Sequence, residues 1–188
     1  MKRDRGIRRP IDDHERRRWQ NPEAILSSIG LRSGLTFMDI GCGGGFFALP
    51  AARMIGEKGK VYGLDTNADS IASLGQQASR EGLKNLCLTI GRAEETTICK
   101  QCADILFIGM ALHDFQDASK VLENARSMVK PTGRLANLDW KKEPMEFGPP
   151  LRIRFSAEMA VSLIKGAGFA VESVKDTGPY HYLVIATP

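Results

Sequence analysis

The sequence predicts an α/β fold: one sheet of seven mostly parallel strands with an antiparallel strand from a C-terminal hairpin, and helices on both faces. Three observations predict it. From residue 35 onward, short apolar runs alternate with stretches whose apolar residues recur every three or four positions, the pattern of strands interleaved with covering helices. The first of these runs, Thr36 to Ile40, opens into four glycines within five residues and then into a helical stretch. The last two runs are separated by Thr177-Gly178-Pro179, which reads as a hairpin turn and not as a crossover to a further parallel strand.

Taken in order, strands are expected at Thr36 to Ile40, Val61 to Leu64, Cys87 to Ile90, Asp104 to Ile108, Arg134 to Asp139, Ala170 to Lys175 and Tyr182 to Ala186. Helices are expected at Phe46 to Ile55, Ala68 to Glu81, Ala118 to Val129 and Ala157 to Ala167, with Gly82, Gly133 and Gly168 where helices should stop. Upstream, Asn21-Pro22-Glu23 before Ala24, Ile25, Leu26 and Ile29 reads as a capped amphipathic helix. Residues 1–33 therefore form a basic arm and helix, an appendage to a domain at 34–188. Pro144, Pro149 and Pro150 make the stretch after the fifth strand a loop.

Composition narrows the function. A chain of 188 residues, 43% hydrophobic and 26% charged, is expected to close one core. Its apolar runs are too short to cross a bilayer, and no apolar stretch follows the charged N-terminus as a secretory signal requires, so the cytoplasm is the expected compartment. Residues 1 to 20 hold eight Lys/Arg against four Asp/Glu, leaving eighteen of each elsewhere. Such an arm suits phosphates, but Arg16-Arg17-Arg18 beside Glu15 reads more simply as a solvated helix face, so nucleic acid is not the expected partner. Cys42, Cys87, Cys99 and Cys102 are expected as reduced thiols. Cys99-Lys100-Gln101-Cys102 has half the ligands of a zinc site and no second pair, so no metal is expected.

The glycine-rich turn carries most of the functional information. Glycine permits positive φ in a tight turn and lets a ligand lie against the backbone at the open end of a strand. Two cofactor classes use such a turn. Gly43-x-Gly45-x-x-Ala48 with Asp65 further on satisfies the dinucleotide fingerprint. Against NAD stands Asp39, whose carboxylate would repel a pyrophosphate placed on the helix N-terminus. S-adenosylmethionine has no phosphate and carries an ammonium and a sulfonium, which an acidic turn suits.

Asp39-Ile40-Gly41-Cys42-Gly43-Gly44-Gly45 resembles the D-x-G-x-G-x-G motif of the class I S-adenosylmethionine-dependent methyltransferases, which have a Rossmann-like fold. Val61-Tyr62-Gly63-Leu64-Asp65 is similar to that family's second strand, Gly91-Arg92-Ala93-Glu94 to its adenine segment, Ala103 to Ile108 to its fourth strand, and Val129 to Leu135 to its turn before the fifth. The likeness covers residues 35 to 140, and the branch it resembles contains ubiquinone and menaquinone biosynthesis methyltransferases. The resemblance implies cofactor contacts from Asp39, Gly41, Cys42, Gly43, Gly45, Asp65, Thr66, Arg92, Ala93, Glu94 and Gly109, and a small-molecule acceptor. Arg92 departs from the acid the family often has there, which shifts adenine recognition to backbone groups of Arg92 and Ala93 or to Glu94.

Methyl transfer is an in-line displacement, so the protein's main task is alignment and exclusion of water. An acceptor that starts protonated also needs a base, and His113, just after the fourth strand, is the candidate. Its simpler role is to orient the following loop, with Asp114 or Asp117 capping the next helix. Alternation sends His181 to the face opposite Tyr180 and Tyr182, at a surface hairpin position. Trp140 suits stacking on an acceptor, with Met145 and Phe147 as an apolar lid, or simply core packing. Methylation of RNA or protein, a non-catalytic S-adenosylmethionine sensor and an NAD-dependent dehydrogenase remain the alternatives.

Overall fold

The structure is a computed structural model that describes residues 13–188; the arm before Asp13, with its expected charge role, lies outside the described residues. Its seven strands are β1 (Thr36–Ile40), β2 (Lys60–Asp65), β3 (Leu86–Ile90), β4 (Ala103–Gly109), β5 (Val129–Trp140), β6 (Ala170–Thr177) and β7 (His181–Thr187). They form one sheet in the order β3-β2-β1-β4-β5-β7-β6. Strands β1 to β5 pair in parallel, and β7 inserts between β5 and β6 antiparallel to both.

The helices are α1 (Asp13–Arg17), α2 (Pro22–Ser28), α3 (Ala48–Ile55), α4 (Ala68–Arg80), α5 (Ala118–Met128) and α6 (Ala157–Gly166). Local chemistry sets their starts. Asn21, Asn67, Asp117 and Ser156 each accept from a backbone N–H three residues on, and Pro22 occupies the first turn of α2, where no N–H is needed. Helices α2, α3 and α4 bury Leu26, Ala51 and Leu74 with Phe37, Phe107 and Leu138 on one face of the sheet. On the other, Leu122 of α5 and Ile164 of α6 pack on Met38, Leu106 and Val184. Both faces of β1 and β4 are therefore covered, which is why these strands read as mostly apolar runs and not as alternating ones.

Because β1 pairs with β2 on one side and β4 on the other, the strand order reverses at β1, and a crevice opens beyond the carboxyl ends of β1 and β4. Three expectations are corrected. Strand β5 starts at Val129, not Arg134, because the expected turn is absorbed as an irregularity opposite Ala103 to Ile105; a Cβ on Gly133 would stand 2.7 Å from the Ala103 carbonyl. His181 is buried, not at the surface, since it pairs with Trp140 across β5 and β7. Cys99 and Cys102, expected as free thiols, form a disulfide: the turn, with Gln101 at φ 48°, brings their Cα atoms to 6.0 Å, within reach of one.

Candidate functional site

The turn after β1 is held by its own backbone. The N–H groups of Gly41 and Cys42 both donate to the Leu64 carbonyl at the end of β2, which closes the chain back over the sheet edge. Gly41, at φ 78°, is needed twice over, since a Cβ there would also stand 2.8 Å from Ala111 Cβ. Beneath the turn, Asp39 is 1% exposed and its Oδ2 has no hydrogen-bond partner. Burial and the charge of Asp65 push its carboxyl up to about 7, with Arg16 opposing.

Asp65 closes the end of β2. Its Oδ2 accepts from the Gly43 N–H at 2.7 Å and its Oδ1 from the Asn67 N–H at 2.8 Å, so two backbone donors fix the carboxylate in one orientation. A cavity of about 420 Å³ opens beside it, lined by Gly41, Asp65, Thr66, Arg92, Ala93, Glu94 and Phe115, among others. The Arg92 side chain is tied to Gln116 and Glu95, and Glu94 accepts from the Gln116 N–H. Behind them, Asn124 of α5 donates to the carbonyls of both Ala93 and Glu94 at 2.9 Å, bracing the segment against the sheet.

A second cavity, about 250 Å³, is lined by Asp39, Cys42, Gly43, Gly109, Phe46 and Arg16, among others. The two cavities share Gly41 and Met110, so they form one bent cleft over the switch point. The structure thus brings the glycine turn, Asp39, Asp65, Thr66, the Arg92 to Glu94 segment and Gly109 together. Gly45 lines neither cavity. It lets the turn pack, since a Cβ there would strike Leu74.

Met110, Gln20 and Arg16 were not singled out by sequence. Met110 follows β4 at φ 62°, a conformation unusual for a side-chain-bearing residue and frequent at functional sites. Gln20 is 1% exposed and donates to Met110 Sδ. Arg16, expected on a solvated face, instead lays its guanidinium 3.7 Å above the Phe46 ring, beside the second cavity. The charge run concealed it, because Arg17 and Arg18 are exposed as expected.

His113 lines neither cavity; its side chain is 2% exposed. Its Nδ1 lies 2.7 Å from Asp139 Oδ1 at the end of β5 and its Nε2 3.5 Å from Asp114 Oδ2, on the rim of the larger cavity. Burial opposes protonation of His113, but the hydrogen bond and charge of Asp139 outweigh it, so its pKa is raised. Asp117, not Asp114, caps the next helix. Trp140 joins Trp19, Phe147 and His181 in an aromatic cluster, where Trp19 stacks on His181 at 5.3 Å. Burial and the nearby cations Arg16, Lys141 and Arg154 depress His181 to about 3.

Residues 31–159 match the family described as a methyltransferase domain. The fold is shared with a solved S-adenosylmethionine-dependent methyltransferase from Aquifex aeolicus, at 31% identity, 93% coverage of both chains and a TM-score of 0.88. The chain belongs to the S-adenosylmethionine-dependent methyltransferases. Among curated relatives, it is 28% identical over 126 residues to a demethylmenaquinone methyltransferase of Geobacillus kaustophilus, covering 67% of this chain and 53% of that one. It is 30% identical over 164 residues to a ubiquinone/menaquinone biosynthesis C-methyltransferase of Cronobacter sakazakii, covering 84% and 61%. The chain spans about half the length of the first of these relatives.

The residues of this methyltransferase domain fit the family's cofactor. Asp39, whose Oδ2 has no hydrogen-bond partner, lines the smaller cavity and can accept from an ammonium. A Cβ added at Gly43 or Gly44 would meet nothing within 4 Å, so the turn leaves open space above its backbone. Among the described residues, no helix is long and apolar enough to cross a membrane.

Proposed function

We propose that this chain transfers the methyl group of S-adenosylmethionine to a small-molecule acceptor. The observation that carries the reading is the pair of carboxylates on the bent cleft, Asp65 held by the Gly43 N–H and Asp39 buried without a partner for Oδ2. The quinone-biosynthesis relatives support a small acceptor. A pyrophosphate-bearing dinucleotide is disfavoured, since an ionised Asp39 under the turn repels it and offers nothing in exchange.

Placement supports each role. Asp65, with one lone pair of each oxygen committed to a backbone N–H, has the others for the ribose hydroxyls, and Thr66 lines the same wall. Ala93 and Glu94, braced by Asn124, present backbone groups to the adenine, while the Arg92 side chain is turned towards Glu95 and Gln116. Asp39 balances the ammonium of the amino-acid end; Gly41, Cys42, Gly43 and Gly109 line the cavity through which that end passes. When bound, S-adenosylmethionine would supply a methyl group activated by its sulfonium, with neutral S-adenosylhomocysteine as the leaving group. His113 lies behind the cavity rim at Asp114, so as the base of this proposal it takes the acceptor's proton at Nε2 only once the Asp114 side chain turns aside, and Asp139 at Nδ1 stabilises the imidazolium. Water exclusion and alignment in the cleft supply the rest.

Calorimetric titration with S-adenosylmethionine, S-adenosylhomocysteine and NAD tests the reading, alongside Asp65→Ala. The first two are expected to bind and the variant to lose at least about tenfold in affinity, since a hydrogen bond to a charged group contributes about 1.5–3 kcal/mol. Binding of NAD alone would overturn the proposal.

A further inference from the structure

The smaller cavity holds an acid and a base that do not pair with each other. Asp39 is among its lining residues, with Oδ2 unpartnered and the residue 1% exposed. Arg16 reaches the same cavity from α1, outside the glycine turn and the sheet. Among the described residues, no nitrogen of Arg16 comes within ion-pairing distance of either oxygen of Asp39, although the two sense each other's charge. Arg16 Nε donates to Gln20 Oε1 at 2.5 Å, and the guanidinium plane lies over Phe46. That leaves the Nη1 and Nη2 edge of the fork, to which no described residue is hydrogen-bonded. Gln20 is itself buried and tied to Met110 Sδ, so the fork is aimed by a chain running from the end of β4.

An opposite-charge pair facing one small cavity without neutralising itself complements a ligand that carries both charges on neighbouring atoms. An α-amino acid is such a ligand: its ammonium and carboxylate share one carbon. Resting on the methyltransferase reading above, we propose that Arg16 binds the carboxylate of the cofactor's methionine end, which makes α1 part of the cofactor site. Asp39 takes the ammonium of the same group. The planar fork suits a carboxylate in a way that an ammonium side chain does not, since two parallel N–H donors meet two oxygens.

The electrostatics agree with this placement. Burial lowers Arg16 to about 10, with Asp13 and Asp39 opposing, so it stays a full cation at neutral pH in surroundings that strengthen its pull on an anion. Asp13, one turn earlier on α1, also lines the cavity but is exposed, where water screens it.

The test deletes the contact from both sides. S-adenosylmethionine and decarboxylated S-adenosylmethionine differ only in the carboxylate, and their affinities are measured for wild type, Arg16→Met, Arg16→Lys and Arg18→Met, whose residue is solvent-exposed. Wild type and Arg18→Met are expected to prefer the carboxylated ligand by about 10- to 100-fold, the scale of a hydrogen-bonded charge pair. Arg16→Met should bind both ligands equally, and Arg16→Lys should keep a reduced preference. A preference that survives intact in Arg16→Met overturns the proposal, as does an equal loss for both ligands with their ratio unchanged, which would mean that Arg16 only docks α1 on Phe46. Wild type that binds neither ligand refutes the cofactor reading itself, and that failure is visible before any variant is compared.

Discussion

Asp39 is the residue whose environment is most out of keeping with its chemistry: a carboxylate, 1% exposed, with one oxygen unpartnered and its carboxyl raised to about 7. A raised acid binds its proton more tightly folded than unfolded. Its contribution to stability is therefore present in full below the ordinary value of 3.8 and is lost as pH rises towards about 7. A ligand ammonium reverses the preference by stabilising the ionised form. The affinity for S-adenosylhomocysteine should accordingly rise between about pH 6 and pH 7.5, by up to about tenfold per unit at the acid limit. Asp39→Asn should flatten that profile and weaken binding throughout. Titration calorimetry across this range checks it, and a flat wild-type profile would remove Asp39 as the ammonium partner. Asp39 was conspicuous in sequence as a carboxylate beside the glycine turn, and Asp65 as an acid ending the second strand at the interval of a ribose-binding residue. Arg16 was not, since its place depends on Phe46, thirty residues away, and on Gln20, and neither contact leaves a periodic trace.

Among the elements, the short 3-10 turn Leu112–Asp114 between β4 and α5 joins the cleft to the end of β5. Its anchor is His113, whose Nδ1 meets Asp139 while Ala111, Asp114 and Phe115 on either side line the larger cavity. The pair acts on stability in the direction of its raised pKa: in full below the ordinary imidazole value, fading as pH rises past the raised one. His113→Ala would leave Asp139 buried without that bond, at a cost of about 1–3 kcal/mol. His113→Asn keeps a donor near Nδ1 and removes the proton acceptor at Nε2. It should fold, bind S-adenosylhomocysteine as wild type does, and lose about 10²- to 10⁴-fold in turnover. Wild-type turnover in His113→Asn would leave the histidine a turn anchor only. Strand positions were readable from mostly apolar runs, because β1 and β4 are covered on both faces. The burial of His181 was hidden, since it comes from pairing with Trp140 on β5 and from Trp19 stacking on the ring, contacts no hairpin pattern encodes.

For the whole molecule, the decisive feature is that the cleft spans the reversal in strand order. Its walls come from the ends of β1, β2 and β4, from the segment after β3, from the turn before α5, and from α1. The sequence placed a ligand cradle at the open carboxyl end of the first strand of a mostly parallel sheet, but not the strand order that makes it a reversal point. It did not show that Asp13 and Arg16 would close one end, since the short helix α1 has no strand register to read. A ligand touching that many elements must stabilise the fold by mass action, having no comparable site in the unfolded chain. At one hundred times its dissociation constant, S-adenosylhomocysteine should add about 2.7 kcal/mol, which for a domain of this size raises the melting temperature by about 5–10 °C. NAD at the same concentration should leave it unmoved. Arg16→Met and Asp39→Asn should each shrink the shift at a fixed ligand concentration, because weaker binding lowers the same logarithm. Their melting temperatures without ligand separate that loss from damage to the fold. A shift of equal size in both variants and wild type, with ligand well below saturation, would mean that the amino-acid end lies elsewhere, on a wall that neither residue touches.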